Sequence, residues 1–217
     1  MKNLAIFGAG AYGQEIYCLI KKINGRSNSP LWKFIGFFDD DEKLWGTANH
    51  YGRIIGGIDH LIAWKEDLDV AISIANTSVL KKIVEKLDNP HLSFPNIVDP
   101  DTCYLDKETV MMGKGNIVGE ITRFAPNVQL GDFNIIVNDV VFGHDDVIGS
   151  YNVFFPDSRL SGHVTCGDGN LFGVRSTVLQ GLTIGNNVKL AAGCLLMNDA
   201  KDDGFTYRGN PARRSKF

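Results

Sequence analysis

The chain has 217 residues, enough for one large domain or two small ones, and either can bury a real core. Apolar residues make up 44% and charged residues 22%, the balance of a globular protein, and the formal net charge of -3 argues against a general nucleic-acid binder. No run approaches the length of a membrane span, and Met1 leads directly into a strand rather than a secretory leader, so a cytoplasmic protein is expected.

The first half alternates two periods. Asn3 to Phe7 is a short apolar run that ends in Gly8-Ala9-Gly10-Ala11-Tyr12-Gly13. Gln14 to Ile23 then carries Ile16, Leu19, Ile20 and Ile23, a helical stripe. Gly25 to Pro30 reads as a loop. Phe34 to Phe38 is a second strand, closed by Asp39, Asp40 and Asp41. Ile58 to Trp64 reads as helix, Val70 to Ile74 as strand, and Ser78 to Leu87 as helix. Strands alternating with helices predict a small parallel sheet with right-handed crossovers, a Rossmann-like domain over residues 1–100.

A glycine pattern after a strand and opening a helix suits a phosphate, because its amides and the helix N-terminus favour negative charge. Gly8, Gly10, Ala11, Tyr12 and Gly13 are therefore candidate phosphate contacts, with Asp39 and Asp40 placed for a ribose or base. Taken alone the motif also fits NAD. About 90 residues are too few for a full double-wound dinucleotide fold.

The second half obeys another rule. Stepping six residues from Met112 gives Val118, Phe124, Leu130, Ile136, Phe142, Ile148, Phe154, Leu160, Cys166, Phe172, Val178, Ile184, Leu190 and Leu196, all apolar or Cys. Gly113, Gly131, Gly149, Gly167 and Gly185 recur every eighteen residues, as do Asn116, Asn134, Asn152 and Asn170. Three hexads make one coil, and like residues stack from coil to coil. The pattern predicts a parallel β-helix over residues 101–217, starting near 106 to 112 and running to about 198 without a long inserted loop. Cys18, Cys103, Cys166 and Cys194 form neither a CxxC pair nor a compact framework and read as reduced core thiols.

Residues eighteen apart lie one coil above another, so His144 sits under Gly162 and Asp145 under His163. His144 is at neither core position of its hexad and should face outward, where an imidazole can accept a proton near neutral pH. The Gly162 N–H is open to a ligand and suits an oxyanion. Asp145 is placed to hold an imidazole in one tautomer. No metal site is assigned.

The hexads, the run Phe142-Gly143-His144-Asp145-Asp146-Val147-Ile148-Gly149 and the run Leu160-Ser161-Gly162-His163-Val164 resemble the hexapeptide-repeat acyltransferases. Within them the chain is similar to the branch of sialic-acid O-acetyltransferases and UDP-amino-sugar N-acetyltransferases, which carries a nucleotide-binding βαβ domain before the helix. The resemblance covers Gly8 to Arg213. It implies a left-handed hand for the β-helix, acetyl-CoA as co-substrate, and a homotrimer that holds acetyl-CoA between neighbouring prisms. It also implies His144 as base, Asp145 as its orienter, and Gly162 as the amide that meets the acetyl carbonyl. The glycine loop would then hold the nucleotide of a sugar substrate. Tyr207-Arg208-Gly209-Asn210-Pro211-Ala212-Arg213-Arg214 resembles the family's GNPA tail, so Gly209, Asn210, Pro211 and Arg213, with His163, are implied CoA contacts, and Arg214 is a further candidate for its phosphates.

Three departures stand out. Val153 occupies the position of a frequent second histidine, Asp145 replaces a Glu, and His163 stands where many relatives have Asn. The reading is an acetyltransferase acting on the amine of a nucleotide-linked sugar. O-acetylation of a sialic acid, a non-catalytic sugar-nucleotide scaffold and an NAD oxidoreductase are the alternatives.

Overall fold

The computed structural model describes residues 1–215 and divides into two compact units, Met1–Pro100 and the chain from Asp101 onward. No helix among the described residues is long and apolar enough to cross a membrane.

The first unit is a five-stranded sheet with β1 (Lys2–Phe7), β2 (Trp32–Phe38), β3 (Ile54–Gly56), β4 (Leu68–Ile72) and β5 (Leu92–Ser93) in the order β3-β2-β1-β4-β5. Every pairing is parallel. The intervening helices are α1 (Ala11–Arg26), α2 (Ile58–Ile62) and α3 (Thr77–Lys86). β1 and β4, at the centre of the sheet, carry buried apolar runs, and Leu4, Ile6, Phe37, Phe38, Leu61 and Leu68 are fully buried. Strand order reverses between β1 and β4, the place where open α/β sheets bind ligands. The short strands β3 and β5 carry too little pattern to have been read from sequence. α1 starts three residues before the predicted Gln14 and continues through Gly25 and Arg26, which the sequence reading placed in a loop. The side chain of Asn24 explains the extension, since it accepts from Leu31 N–H and Trp32 N–H and donates to Trp32 O, tying the last turn to the start of β2.

The second unit is a parallel β-helix. One face stacks 103–104, 123–124, 141–142, 159–160, 177–178 and 195–196; a second stacks 111–112, 129–130, 147–148, 165–166 and 183–184. The third carries 117–118, 135–136, 153–154, 171–172 and 189–190. From Met111 to Leu196 the paired residues are eighteen apart, as in Gln129 with Val147 and Thr177 with Leu195. The stacking begins earlier than predicted. Cys103 and Tyr104 pair with Arg123 and Phe124, and a short turn at Lys107–Thr109, capped by Asp106, absorbs the two extra residues of that first rung.

Two columns hold the coils together. Phe124 and Phe142 stack at 5.0 Å, Phe142 meets Phe154 edge-on at 5.0 Å, and Phe154 stacks on Phe172 at 4.3 Å. Each such ring contributes about 1.5–3 kcal/mol of apolar burial. At one corner Asn116, Asn134, Asn152 and Asn170 form a ladder in which each side-chain oxygen accepts the backbone N–H eighteen residues on, ending at Val188. These amides are buried, and the ladder satisfies N–H groups that would otherwise be stranded.

Each corner carries a residue with positive φ, recurring every six residues from Gly115 to Gly193, and Gly162 adds a second beside His163. Ten of them are not glycine, including Ile121, Phe133, Asp145 and His163. The far end does not stop at 198. A polar loop from Asp199 to Gly204 caps it, with Asp199 accepting from Thr183 N–H and Asp203 from Asn186 N–H, and Thr206–Arg208 then adds a parallel rung beside Lys189 and Leu190. Arg213–Ser215 returns antiparallel to it. The cysteines are free, but only Cys166 and Cys194 are buried. Cys18 and Cys103 are exposed, against the core reading, because each sits on the outward side of its element.

Candidate active site

The β1–α1 loop lies at the switch point of the first unit. Gly8 has φ +105, and a Cβ there would meet Ser73 Oγ at 2.6 Å. A Cβ on Gly13 would overlap the Gly8 carbonyl oxygen. These two glycines are needed for close packing. Gly10 differs: it is exposed, it precedes the first turn of α1, and a side chain would meet nothing within 4 Å. Its amide and those of Ala11 and Tyr12 begin the helix. Ser73, not singled out from sequence, locks the loop by donating to Phe7 O and Gly8 O.

The acids after β2 are partly used by the protein itself. Asp39 accepts from Ala9 N–H at 2.8 Å and from Asp41 N–H at 3.0 Å, while Asp40 accepts from Ile58 N–H at the start of α2. A carboxylate has about four lone-pair sites, so each keeps capacity for a hydroxyl. The Tyr12 hydroxyl is buried without a hydrogen-bond partner among the described residues, and burial, then Glu15, raises its pKa.

In the second unit the three predicted polar residues converge. His144 Nδ1 lies 2.8 Å from Asp145 Oδ2, and His163 Nε2 lies 3.8 Å from the same oxygen. The two imidazoles meet edge to face with centroids 4.7 Å apart. Asn127, one coil below, donates to Asp145 Oδ1 at 2.9 Å. The bond from His144, then that from Asn127, holds the Asp145 carboxyl below its usual range, so it is a carboxylate at neutral pH. With Nδ1–H given to Asp145, Nε2 is the basic nitrogen of His144, a tautomer assigned from the hydrogen bond. Gly162, at φ +107, faces that nitrogen: a Cβ there would be 3.1 Å from His144 Nε2.

The Gly162 N–H donates to no acceptor among the described residues. An imidazole, its carboxylate partner and an open amide thus share one ledge. His163, assigned from the resemblance to CoA, shares the Asp145 carboxylate with His144. His144, Asp145 and His163 also offer donor atoms within 4.8 Å of one another, a spacing able to hold a divalent cation. At the second-histidine position Val153 is fully buried and pairs with Ile135 and Leu171, so no titratable group stands there.

The tail packs on the last coil. Leu195 N–H donates to Gly209 O, and Ala212 N–H to Leu195 O. Gly209, Asn210, Pro211 and Arg213 are exposed on that end. Arg214 is engaged within the tail, paired with Asp202 at 2.8 Å and lying 3.5 Å over the Phe205 ring. Its guanidinium is thus already partnered within the tail.

Known proteins share this arrangement of elements. Residues 3–87 match the family model of the PglD N-terminal domain. The acetyltransferase domain of PglB from Neisseria gonorrhoeae superposes with a TM-score of 0.87 at 22% identity, over 99% of this chain and 100% of that one. PerB from Caulobacter crescentus, solved with CoA and GDP-perosamine, gives 0.86 at 22% identity over 99% and 98%. The chain has the fold of the hexapeptide-repeat sugar acetyltransferases. Its second unit is accordingly a left-handed β-helix, and its first a Rossmann-like domain. Among curated proteins, an acyl-[acyl-carrier-protein]–UDP-N-acetylglucosamine O-acyltransferase from Burkholderia thailandensis is 33% identical over 107 residues, 46% of this chain and 41% of that protein. The chain spans about two fifths of the length of that relative.

Proposed function

We propose that this protein transfers the acetyl group of acetyl-CoA to the amine of a nucleotide-linked amino sugar. The observation that carries the reading is the His144–Asp145 pair beneath the open Gly162 amide. The amine attacks the thioester carbon as His144 Nε2 takes its proton. The carbonyl oxygen becomes an oxyanion, which the Gly162 N–H stabilises. The tetrahedral intermediate then expels the CoA sulfur, which recovers the proton from the imidazolium. Asp145 stabilises that imidazolium and fixes its tautomer, while Asn127 holds the carboxylate in place.

CoA is held by the exposed tail around Gly209, Asn210, Pro211 and Arg213, with His163 flanking the acyl end. The sugar's pyrophosphate lies on the amides after Gly8, with Gly10, Ala11, Tyr12 and Gly13 at the helix start and Asp39 or Asp40 toward the nucleoside. PerB is described as bound to CoA and GDP-perosamine, which is a nucleotide-linked amino sugar, and this supports the acceptor class. The working form is a homotrimer.

The test is thiol release from acetyl-CoA with a panel of UDP-, GDP- and dTDP-amino sugars, their hydroxy counterparts, and free sialic acid. Release driven by amino sugars supports the proposal. Release driven only by hydroxyls moves it to O-acetylation. Nucleotide-sugar binding with no release makes the protein a scaffold, and tight NADH binding with no nucleotide-sugar binding makes it an oxidoreductase. Light scattering should give a mass near three times the 23.9 kDa of the chain, and a monomer mass would refute the trimer.

A further inference from the structure

Asp146 breaks an apolar column. Val128 lies one coil below it, Val164 one coil above and Leu182 two above, yet its carboxyl is fully buried. It holds the same hexad position as Asn134 and Asn152, at another corner of the prism. Like them it accepts the N–H eighteen residues on, from Val164 at 2.9 Å. Its second oxygen does what the asparagines do not. It accepts from Gly143 N–H at 2.8 Å.

That second bond replaces a rung of the sheet. Ala125, Ser161 and Leu179, the equivalents of Gly143 in other coils, donate to Phe142 O, Val178 O and Leu196 O of the next coil. Gly143 donates to Asp146 instead, and only Val141 of its strand pairs with the coil above, at Arg159. The ladder opens at the corner that carries His144 below and Gly162 above. Gly143 itself tolerates no side chain, because a Cβ there would overlap the Gly162 nitrogen. The carboxylate therefore spans the residue before His144 and the residue after His163.

We propose that Asp146 is a positioning residue for acyl transfer, a clamp that fixes the gap between the His144 imidazole and the Gly162 amide. The proposal rests on the acyl-transfer reading above and adds to it a residue that touches neither substrate. The titratable groups facing the clamp are His144 and Asp145 from its own turn and Cys166 from the coil above; Val128 below is apolar. Burial pushes the Asp146 carboxyl up to about 7, while its two N–H bonds and His144 favour the charged form. Protonation weakens both charge-assisted bonds, so the clamp loosens as pH falls through that value.

Asp146→Asn keeps the shape but leaves one of the two N–H groups facing an amide NH2. A misplacement of the order of 1 Å costs roughly 10^2-fold in rate, so kcat should fall about tenfold or more. KM for acetyl-CoA should stay within about threefold. In the wild type, kcat should carry a step of about tenfold as pH falls through about 7, and Asp146→Asn, with no carboxyl there to protonate, should lack it. An unchanged kcat with the step retained overturns the clamp.

A second measurement needs no turnover. In a His144→Gln, His163→Gln background, which leaves neither imidazole beside the two amides, 15N-glycine spectra should show the Gly143 and Gly162 amides shifting with a midpoint at or above about 7. That response should vanish when Asp146→Asn is added. Amides that do not respond in the background, or respond alike in both, overturn the clamp, and the first of these results decides even if the further variant fails to fold. If the amides respond through Asp146 while no sugar drives CoA release in the wild type, the clamp stands and the acyl-transfer reading falls.

Discussion

Gly162→Ala separates the cost to the fold from the cost to the chemistry. At φ +107 an L-residue lies outside its allowed regions, a strain of about 1–3 kcal/mol. For a protein of this length, each kcal/mol lowers Tm by about 2–4 °C, so a fall of about 2–12 °C is expected. The added methyl would sit 3.1 Å from His144 Nε2 and 3.1 Å from His144 O. A general base must come within about 2.6–3.2 Å of the atom it deprotonates, so the methyl takes the space of the attacking amine. It also crowds the amide proposed to hold the oxyanion. The rate should fall by at least about 10^2-fold, the low end of the loss from removing one oxyanion donor. Gly193→Ala is the control: its φ is +67 and a Cβ there meets nothing within 4 Å. It should lose about 1 kcal/mol of stability and keep its rate. The assays are thermal unfolding, CoA release at saturating acetyl-CoA, and calorimetric acetyl-CoA binding. If Gly162→Ala keeps the full rate while folded, the acetyl group does not react on this ledge.

His144→Ala should lower kcat by about 10^2- to 10^4-fold with little change in acetyl-CoA affinity, and His163→Ala by less; the reverse ranking would move the base to His163. Asp146 also predicts a pH dependence of stability. Burial lifts its folded pKa to about 7, above the ordinary aspartate value of about 4, so the fold prefers the neutral acid. This stabilisation is complete below about pH 4 and is lost as pH rises to about 7, a swing on the order of 4 kcal/mol at most. The Tm of the wild type minus that of Asp146→Asn should therefore fall between pH 5 and pH 8, and a flat difference would contradict it. Gly10→Val should leave Tm nearly unchanged, since its Cβ meets open space, yet weaken nucleotide-sugar binding about tenfold or more by calorimetry; unaltered binding would place the pyrophosphate elsewhere. The mechanism uses no metal, so EDTA should leave the rate of CoA release unchanged, and a loss restored by Zn2+ would give His144, Asp145 and His163 a ligand role.

The β-helix was legible because its constraint is arithmetic. Every sixth residue from Met112 to Leu196 is apolar or Cys, and the eighteen-residue step alone placed His144 under Gly162. Three things escaped. The partners of the acids did, since a side chain such as Asn127 reaches Asp145 across coils and nothing in its own neighbourhood marks it. The clamp did, because Asp146 at a core position looks like a tolerated polar residue until the missing bond at Gly143 is seen. The capping loop did, because Asp199 and Asp203 act by standing in for a coil that is not there. In the first unit the helices were found but their ends moved, as with Asn24 extending α1. Strand β3, three residues long, offers too few positions for a period to be counted.

The left-handed corner every six residues gives this molecule an unusual tolerance to change in length. Eighteen residues inserted between two coils would shift everything beyond them by one rung and leave each residue on its own face. Six would turn everything beyond them onto the next face with the apolar row still inward. A stable prism would result, but a break placed between His144 and Gly162 would put the imidazole and the amide on different sides of it. Any number that is not a multiple of six would carry polar residues into the column of Phe124, Phe142, Phe154 and Phe172. The solenoid can thus lengthen in whole coils without cost to its core, while its chemistry depends on a single count of eighteen.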